Sequence, residues 1–116
     1  MIKVYLAAPY TKGDVCQNVR RVIDFAEQLS SFGIIPFVPH LTHFWHFIYP
    51  HEISFWYEYD NAWLKDCDCL IRLSGDSEGA DKEVELARSL GIPVVYSFFN
   101  DPVIIKKLEA TKNEHR

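Results

Sequence analysis

The chain has 116 residues, 48% of them hydrophobic and 15% aromatic, with a formal net charge of −4. That length bounds a single domain, and that composition is too apolar for a disordered chain. The negative balance excludes the broad basic footprint of a protein that binds nucleic acid or an anionic membrane through its overall field, so a substrate phosphate would have to be held by a local site.

The three cysteines, Cys16, Cys67 and Cys69, are sparse and odd in number, and read as reduced thiols of a cytoplasmic protein. Cys67-x-Cys69 has the wrong spacing for a zinc knuckle. Residues 1–9, MIKVYLAAP, read as a strand entering a turn rather than a signal peptide. No apolar run approaches the roughly 20 residues of a membrane span.

Taken in order, residues 2–7 form a short apolar run, expected as a buried strand. Residues 8–14 form a loop ending in Asp14, a good N-cap. Val15, Val19, Val22, Ile23, Ala26 and Leu29 follow at helical spacing, and Gly33 suits the helix end. Residues 34–38 are a second strand, parallel to the first because a helix separates them. Residues 39–51 carry His40, His43, His46 and His51 among Phe44, Trp45, Phe47 and Tyr49. They show no clear period and are expected as a loop or short helix, serving as a lid or a subunit contact. His43 and His46 would share a helix face, but no carboxylate or cysteine completes a ligand set, so aromatic-packed histidines are expected rather than a metal site. Residues 52–66 read as a helix with an apolar stripe of Ile53, Trp56, Tyr57, Trp63 and Leu64. Residues 68–73 are a third strand, 80–90 a helix, 92–99 a fourth strand, and 103–110 a final helix capped by Asp101-Pro102. The expected organisation is one domain over 1–110 and a polar tail over 111–116. Alternating strands and helices predict an α/β domain with a parallel, doubly wound sheet, whose site lies outside the C-terminal strand ends, here loops 8–14 and 74–79.

Two carboxylates interrupt apolar helix faces. Asp60 fills the i+7 gap of its stripe, and Glu83 lies on the side of Ala80, Leu86, Ala87 and Leu90, with Val84 at the edge. A carboxylate on an apolar face is costly unless paired, hydrogen-bonded or functional. The structural alternative is a helix-dipole charge for Glu83 and a satisfied core group for Asp60. The functional one is a carboxylate pair flanking an anomeric carbon, one attacking and one handling protons. A place near a helix N-terminus favours ionised Glu83, which suits it to be the nucleophile. Tyr5, inside the first strand, is a third candidate. Ser77 with the N–H groups of Gly79 and Ala80, between a strand and a helix, offers an oxyanion or phosphate cradle.

Tyr5 in VYLAAP, Asp60 in YDNAWLKDCD and Ser77-x-Gly79-x-x-x-Glu83 together resemble the nucleoside 2-deoxyribosyltransferase superfamily, nearest to the 2′-deoxynucleoside 5′-phosphate N-hydrolases and small bacterial and phage relatives. The resemblance runs from residue 2 to about residue 97. It implies a flavodoxin-like (Rossmann-like) fold of about four to five parallel strands with helices on both faces, and cleavage of an N-glycosidic bond through a covalent glycosyl-enzyme. By matching position, Glu83 would be the nucleophile, Asp60 would assist proton transfer to the departing base, and Tyr5 would orient the nucleophile. The transferases carry an aspartate where this chain has Ser77, whereas the phosphate hydrolases carry a serine that contacts the 5′-phosphate. The resemblance therefore implies a nucleoside monophosphate as substrate and water as acceptor, with base exchange by a transferase as the alternative and a non-catalytic nucleotide-binding or sensing module as a third reading. The first loop departs from the hydrolases' Gly/Ser/Arg-rich pattern, leaving Thr11, Lys12 and Gly13 as candidate phosphate contacts. A serine donated by a neighbouring subunit has no firm match, Ser97 being the nearest guess. The partners expected are a small nucleoside or nucleotide and a second copy of the chain, with no nucleic-acid polymer, no membrane, no metal and no organic cofactor.

Overall fold

The computed structural model describes the backbone of residues 2–114 and the side chains of residues 2–111. Four parallel strands form one sheet in the order β2-β1-β3-β4: β1 Lys3–Ala7, β2 Ile35–Phe37, β3 Cys69–Leu73 and β4 Val94–Ser97. Helices cover both faces, so the fold is the doubly wound α/β architecture that the alternation of elements predicts. α1 (Val15–Ser30) and α5 (Ile104–Glu114) pack on one face, and α3 (Ile53–Leu64) and α4 (Glu78–Ser89) on the other. A short helix, α2 (Thr42–Ile48), follows a 3-10 turn at Pro39–Leu41. No helix among the described residues is long and apolar enough to cross a membrane.

Period-two alternation sorts the sheet side chains. Val4 and Leu6 on β1, with Cys69, Ile71 and Leu73 on β3, meet Val22, Phe25, Ala26 and Leu29 of α1. Tyr5 and Ala7, with Leu70, face Leu64 of α3 and Ala80, Val84 and Ala87 of α4. Pro36 is tolerated because β2 is an edge strand. The chain leaves β1 for β2 on one side and returns across β1 to β3 on the other. The crevice at this reversal, over the C-terminal ends of β1 and β3, is where ligands settle in such sheets.

Several expectations about helix faces are corrected. On α1, Ile23 is 41% exposed while Phe25 and Asn18 are buried; Asn18 faces inward because its amide donates to the Tyr10 and Lys12 carbonyls of the preceding loop. On α3 only Leu64 is buried, and Ile53 and Trp63 are exposed. This helix meets the sheet through its C-terminal end, and its aromatic residues Phe55, Trp56 and Tyr59 pack instead around Trp45 of α2. On α4 the order is reversed at the edge, with Val84 buried and Leu90 exposed. The polar tail expected from residue 111 is helical as far as Glu114, and residues 115 and 116 lie outside the described residues.

The last helix is anchored through Asp101, which is fully buried. Its carboxylate accepts from Lys107 Nζ at 2.6 Å, Ser97 Oγ at 2.8 Å and the Val103 N–H at 3.0 Å. The Lys107 hydrogen bond, aided by those from Val103 and Ser97, holds this carboxyl below the usual carboxylate range although burial opposes it. Ser97 is thus committed to the core and does not line the main cavity. A carboxyl whose pKa is depressed on folding adds stability above its unfolded pKa, and that stability is lost as pH falls through the folded value. Lys107→Met is expected to lower the urea midpoint at pH 7, and the gap to wild type to narrow below about pH 4.

Candidate active site

A cavity of about 600 Å³ opens over the crevice between β1 and β3. One wall is the β3–α4 turn and the start of α4, bearing Ser77, Gly79, Ala80 and Glu83. The β1–α1 loop contributes Ala8, Tyr10, Thr11 and Lys12. The opposite wall is built from residues 39–60, with His40, His43, His46, His51, Trp56 and Asp60.

Glu83 and Tyr5 come together. Tyr5 is fully buried on β1, and its hydroxyl donates to Glu83 Oε2. The tyrosine therefore holds the carboxyl from beneath rather than lining the cavity. Asp60 reaches the same cavity from α3, and its Oδ1 is buried with no hydrogen-bond partner among the described residues. Burial pushes Glu83 up to about 8 and Asp60 up to about 7, because a carboxylate in a low-dielectric site loses its hydration. The expectation that a helix N-terminus would keep Glu83 ionised is overturned. α4 begins at Glu78 rather than Ala80, so Glu83 lies beyond the first turn, where the dipole effect has faded. What favours its ionised form is the Tyr5 hydrogen bond.

Ser77 is the N-cap of α4: its Oγ accepts the Ala80 N–H at 3.1 Å. The Ala80 N–H is therefore already engaged, and the cradle reduces to the Ser77 hydroxyl, which is still free to donate, and the Gly79 backbone. Thr11 and Lys12 line the cavity, and Lys12 pairs with Asp76 at 3.6 Å. Gly13 does not; it faces a neighbouring cleft of about 310 Å³ shared with Arg21, Gly75 and Phe99.

The histidine-rich stretch makes a wall of the cavity, and its residues were the ones the sequence left unplaced. His40 is 5% exposed, and its Nε2 can only donate to the Pro9 carbonyl, 2.9 Å away. Burial lowers its pKa, so the ring is neutral and Nδ1 is a lone pair, buried without a partner among the described residues. Tyr10 Oη hydrogen-bonds His43 Nδ1. Trp56 Nε1–H donates to His46 Nδ1 at 2.7 Å, as does the His51 N–H at 3.2 Å, which puts the His46 proton on Nε2. Among the described residues no three His, Cys, Asp or Glu side chains form a metal-ligand group. The signal available in the sequence was that residues 39–51 contain no Asp, Glu, Lys or Arg, which is unusual for a solvated loop.

The fold and site define an α/β protein with two half-buried carboxyls over the strand crossover. Residues 2–97 match the family described as a domain of unknown function (DUF7768), and the chain belongs to that family. No curated protein matches it. Among solved structures, the 2-deoxyribosyltransferase of the psychrotolerant bacterium Bacillus psychrosaccharolyticus, a biocatalyst for nucleoside synthesis, aligns with a TM-score of 0.62 and 19% identity. The alignment covers 92% of this chain and 80% of that one. At that identity the likeness is one of fold.

A carboxyl whose pKa rises on folding makes the protein most stable below its unfolded pKa, and less stable as pH climbs through the folded value. Glu83→Gln keeps an acceptor for Tyr5 and removes the charge. It is expected to stabilise the fold by on the order of 2–4 kcal/mol at pH 8, with the gain vanishing near pH 4, by urea unfolding. Tyr5→Phe removes the donor and is expected to raise the Glu83 carboxyl above about 8, read by carboxyl carbon NMR.

Proposed function

We propose that the protein cleaves the N-glycosidic bond of a (2′-deoxy)nucleoside or its 5′-monophosphate. The observation that carries this reading is the Tyr5–Glu83 hydrogen bond at the edge of a cavity that also holds Asp60. In the first step a Glu83 carboxylate oxygen attacks C1′ as the C1′–N bond breaks, and the Asp60 proton passes to the departing base nitrogen. In the second, water attacks C1′, its proton goes to the Asp60 carboxylate, and the Glu83–C1′ bond breaks to release the sugar. A carboxyl at about 7 suits Asp60 to this exchange near neutral pH. Glu83 must be ionised to attack, and the positive charge that grows on the sugar ring offsets the cost of its burial. The aromatic and imidazole wall gives a base a flat apolar surface to lie against.

Ser77, where the resemblance places an aspartate in the transferases, supports water as acceptor and a phosphorylated substrate. One observation favours a second reading, in which the substrate is unphosphorylated and a second base intercepts the glycosyl-enzyme. Asp76 and Glu78 flank Ser77, and Lys12 is already matched with Asp76. A dianionic phosphate there would meet one cation and two carboxylates. The exposed apolar side chains of residues 44–53, including Phe44 at 70%, Phe47 at 77% and Ile53 at 66%, support a homodimer that covers them.

The test is release of free base from a panel of nucleosides and nucleoside monophosphates, with and without an acceptor base. Release from monophosphates alone supports the hydrolase, and exchange that requires an acceptor supports the transferase. Glu83→Gln is expected to reduce turnover by at least about 1,000-fold and Asp60→Asn by about 100- to 10,000-fold. Ser77→Ala is expected mainly to raise KM for phosphorylated substrates, and equal losses for both substrate types would refute a phosphate contact. Binding without release, unchanged in Glu83→Gln, would leave a non-catalytic nucleotide-binding module. Light scattering of wild type and Phe47→Glu checks the dimer, which the charge should dissociate.

A further inference from the structure

Arg72 occupies β3 between Ile71 and Leu73 and is 8% exposed. It pairs across the sheet with Ala7 of β1 and Tyr96 of β4, so it stands in the middle of the sheet on the face that carries Tyr5. It lines neither cavity. A buried guanidinium is costly unless its donors are met, and here all three of its nitrogens donate, to three pieces of chain. Nε and Nη2 donate to Asp81 Oδ1 at 3.2 and 3.0 Å, Nη2 donates to the Gly75 carbonyl at 2.9 Å, and Nη1 donates to the Leu73 carbonyl. These partners are the end of β3, the middle of the β3–α4 turn, and the first turn of α4.

The turn so held has little freedom elsewhere. Gly75 has a φ of +119°, and a Cβ there would come within 2.7 Å of Pro9 Cγ, so the turn is seated directly against the β1–α1 loop. Asp81 is two residues before Glu83, and its N–H donates to the Ser77 carbonyl at 3.0 Å. An apolar side chain of similar length would fill the same space without the desolvation of a charge, but it would tie none of the three pieces together.

We propose that Arg72 is a positioning residue for the Glu83 site, fixing the 74–77 turn and the first turn of α4 in one register on the end of β3. The proposal rests on the reading that Glu83 and Ser77 meet the substrate. It predicts that loosening the brace moves the α4 carboxyl relative to Tyr5 and Asp60 while the fold survives. Displacement of about 1 Å at a reacting centre costs on the order of 100-fold in rate.

Three variants grade the brace. Arg72→Met keeps the stem and removes every donor, Arg72→Lys keeps the charge without the fork, and Asp81→Ala frees only the helix end. Expected for Arg72→Met is an about 100-fold loss in kcat for base release, with KM changed less than about threefold and the protein still folded at 25 °C by urea titration; Arg72→Lys should recover part of the loss. A second readout does not need turnover. Burial raises the Glu83 carboxyl to about 8 while the Tyr5 hydroxyl donates to it, so an α4 that shifts on β3 should move its titration, upward where only the Tyr5 bond is lost and downward where water enters, read by carboxyl carbon NMR. An unchanged Glu83 titration in Arg72→Met and Asp81→Ala, or activity lost only in proportion to the unfolded fraction, would overturn the proposal. Should Arg72→Met not fold, Arg72→Lys and Asp81→Ala carry the same test. Wild type that releases no base from any substrate would sink the glycosidase reading, while the titration would still decide whether Arg72 positions Glu83.

Discussion

Glu83 is a carboxyl set where its charge is unfavourable, and much of the structure serves to hold it there. β1 is paired on both sides, with β2 and β3, so Tyr5 belongs to the least movable part of the molecule. Its hydroxyl fixes one carboxyl oxygen from below. α4 is started by the Ser77 cap and braced through Asp81, so the other end of the contact is fixed as well. On the proposed reading, a group this constrained loses little entropy on meeting a reacting atom. The cost appears in the protonation equilibrium, because burial opposes the ionised form of both Glu83 and Asp60.

The two faces of the sheet are unequal, and the inequality locates the site. Among the described residues, fifteen buried apolar side chains form the cluster under α1 and α5, against seven under α3 and α4. Stability is concentrated on the first face. The second keeps room for a cavity, and α2 beside it buries no residue at all. That helix is held by Tyr10–His43, by His46–Trp56 and by the edge-on contacts of Trp45. Walls built from polar ties and aromatic edges belong to the low-stability end of a fold, where elements that admit ligands are found.

The strand and helix order was legible because each apolar run is bounded by glycine, proline or a capping residue: Asp14 before α1, Pro39 after β2, Gly91 after α4. Periodicity identifies a face, however, and not what lies opposite it. The stripe on α3 is real at helical spacing, but Ile53, Trp56 and Tyr57 line the cavity, Leu64 alone is buried against the sheet and Trp63 only stacks on Phe37 of the edge strand, so Ile53 and Trp63 stay exposed. Asp60 was conspicuous for the same reason: an acid on an apolar face needs no partner to be noticed. Ser77 was read as a ligand contact from its place between strand and helix, whereas the local hydrogen bond to the Ala80 N–H makes it first a cap. Placing the start of α4 two residues late was a small error with a chemical consequence, because it put Glu83 within reach of the helix dipole.

Arg72 shows the harder limit. In the run LIRL a charged residue weakens the case for a buried strand, and nothing nearby in sequence explains it. Its carboxylate partner is nine residues on, in the next helix, and two of its acceptors are backbone carbonyls, which leave no trace in residue identity. A side chain that stands out against its neighbours can be noticed in one sequence, as Glu83 and Asp60 were on their apolar helix faces. Chemistry that consists of holding backbone in place becomes visible only when the chain is folded. The brace and the carboxyl are nonetheless one device, since the residue that receives the guanidinium and the residue that faces the cavity are separated by less than a turn of the same helix.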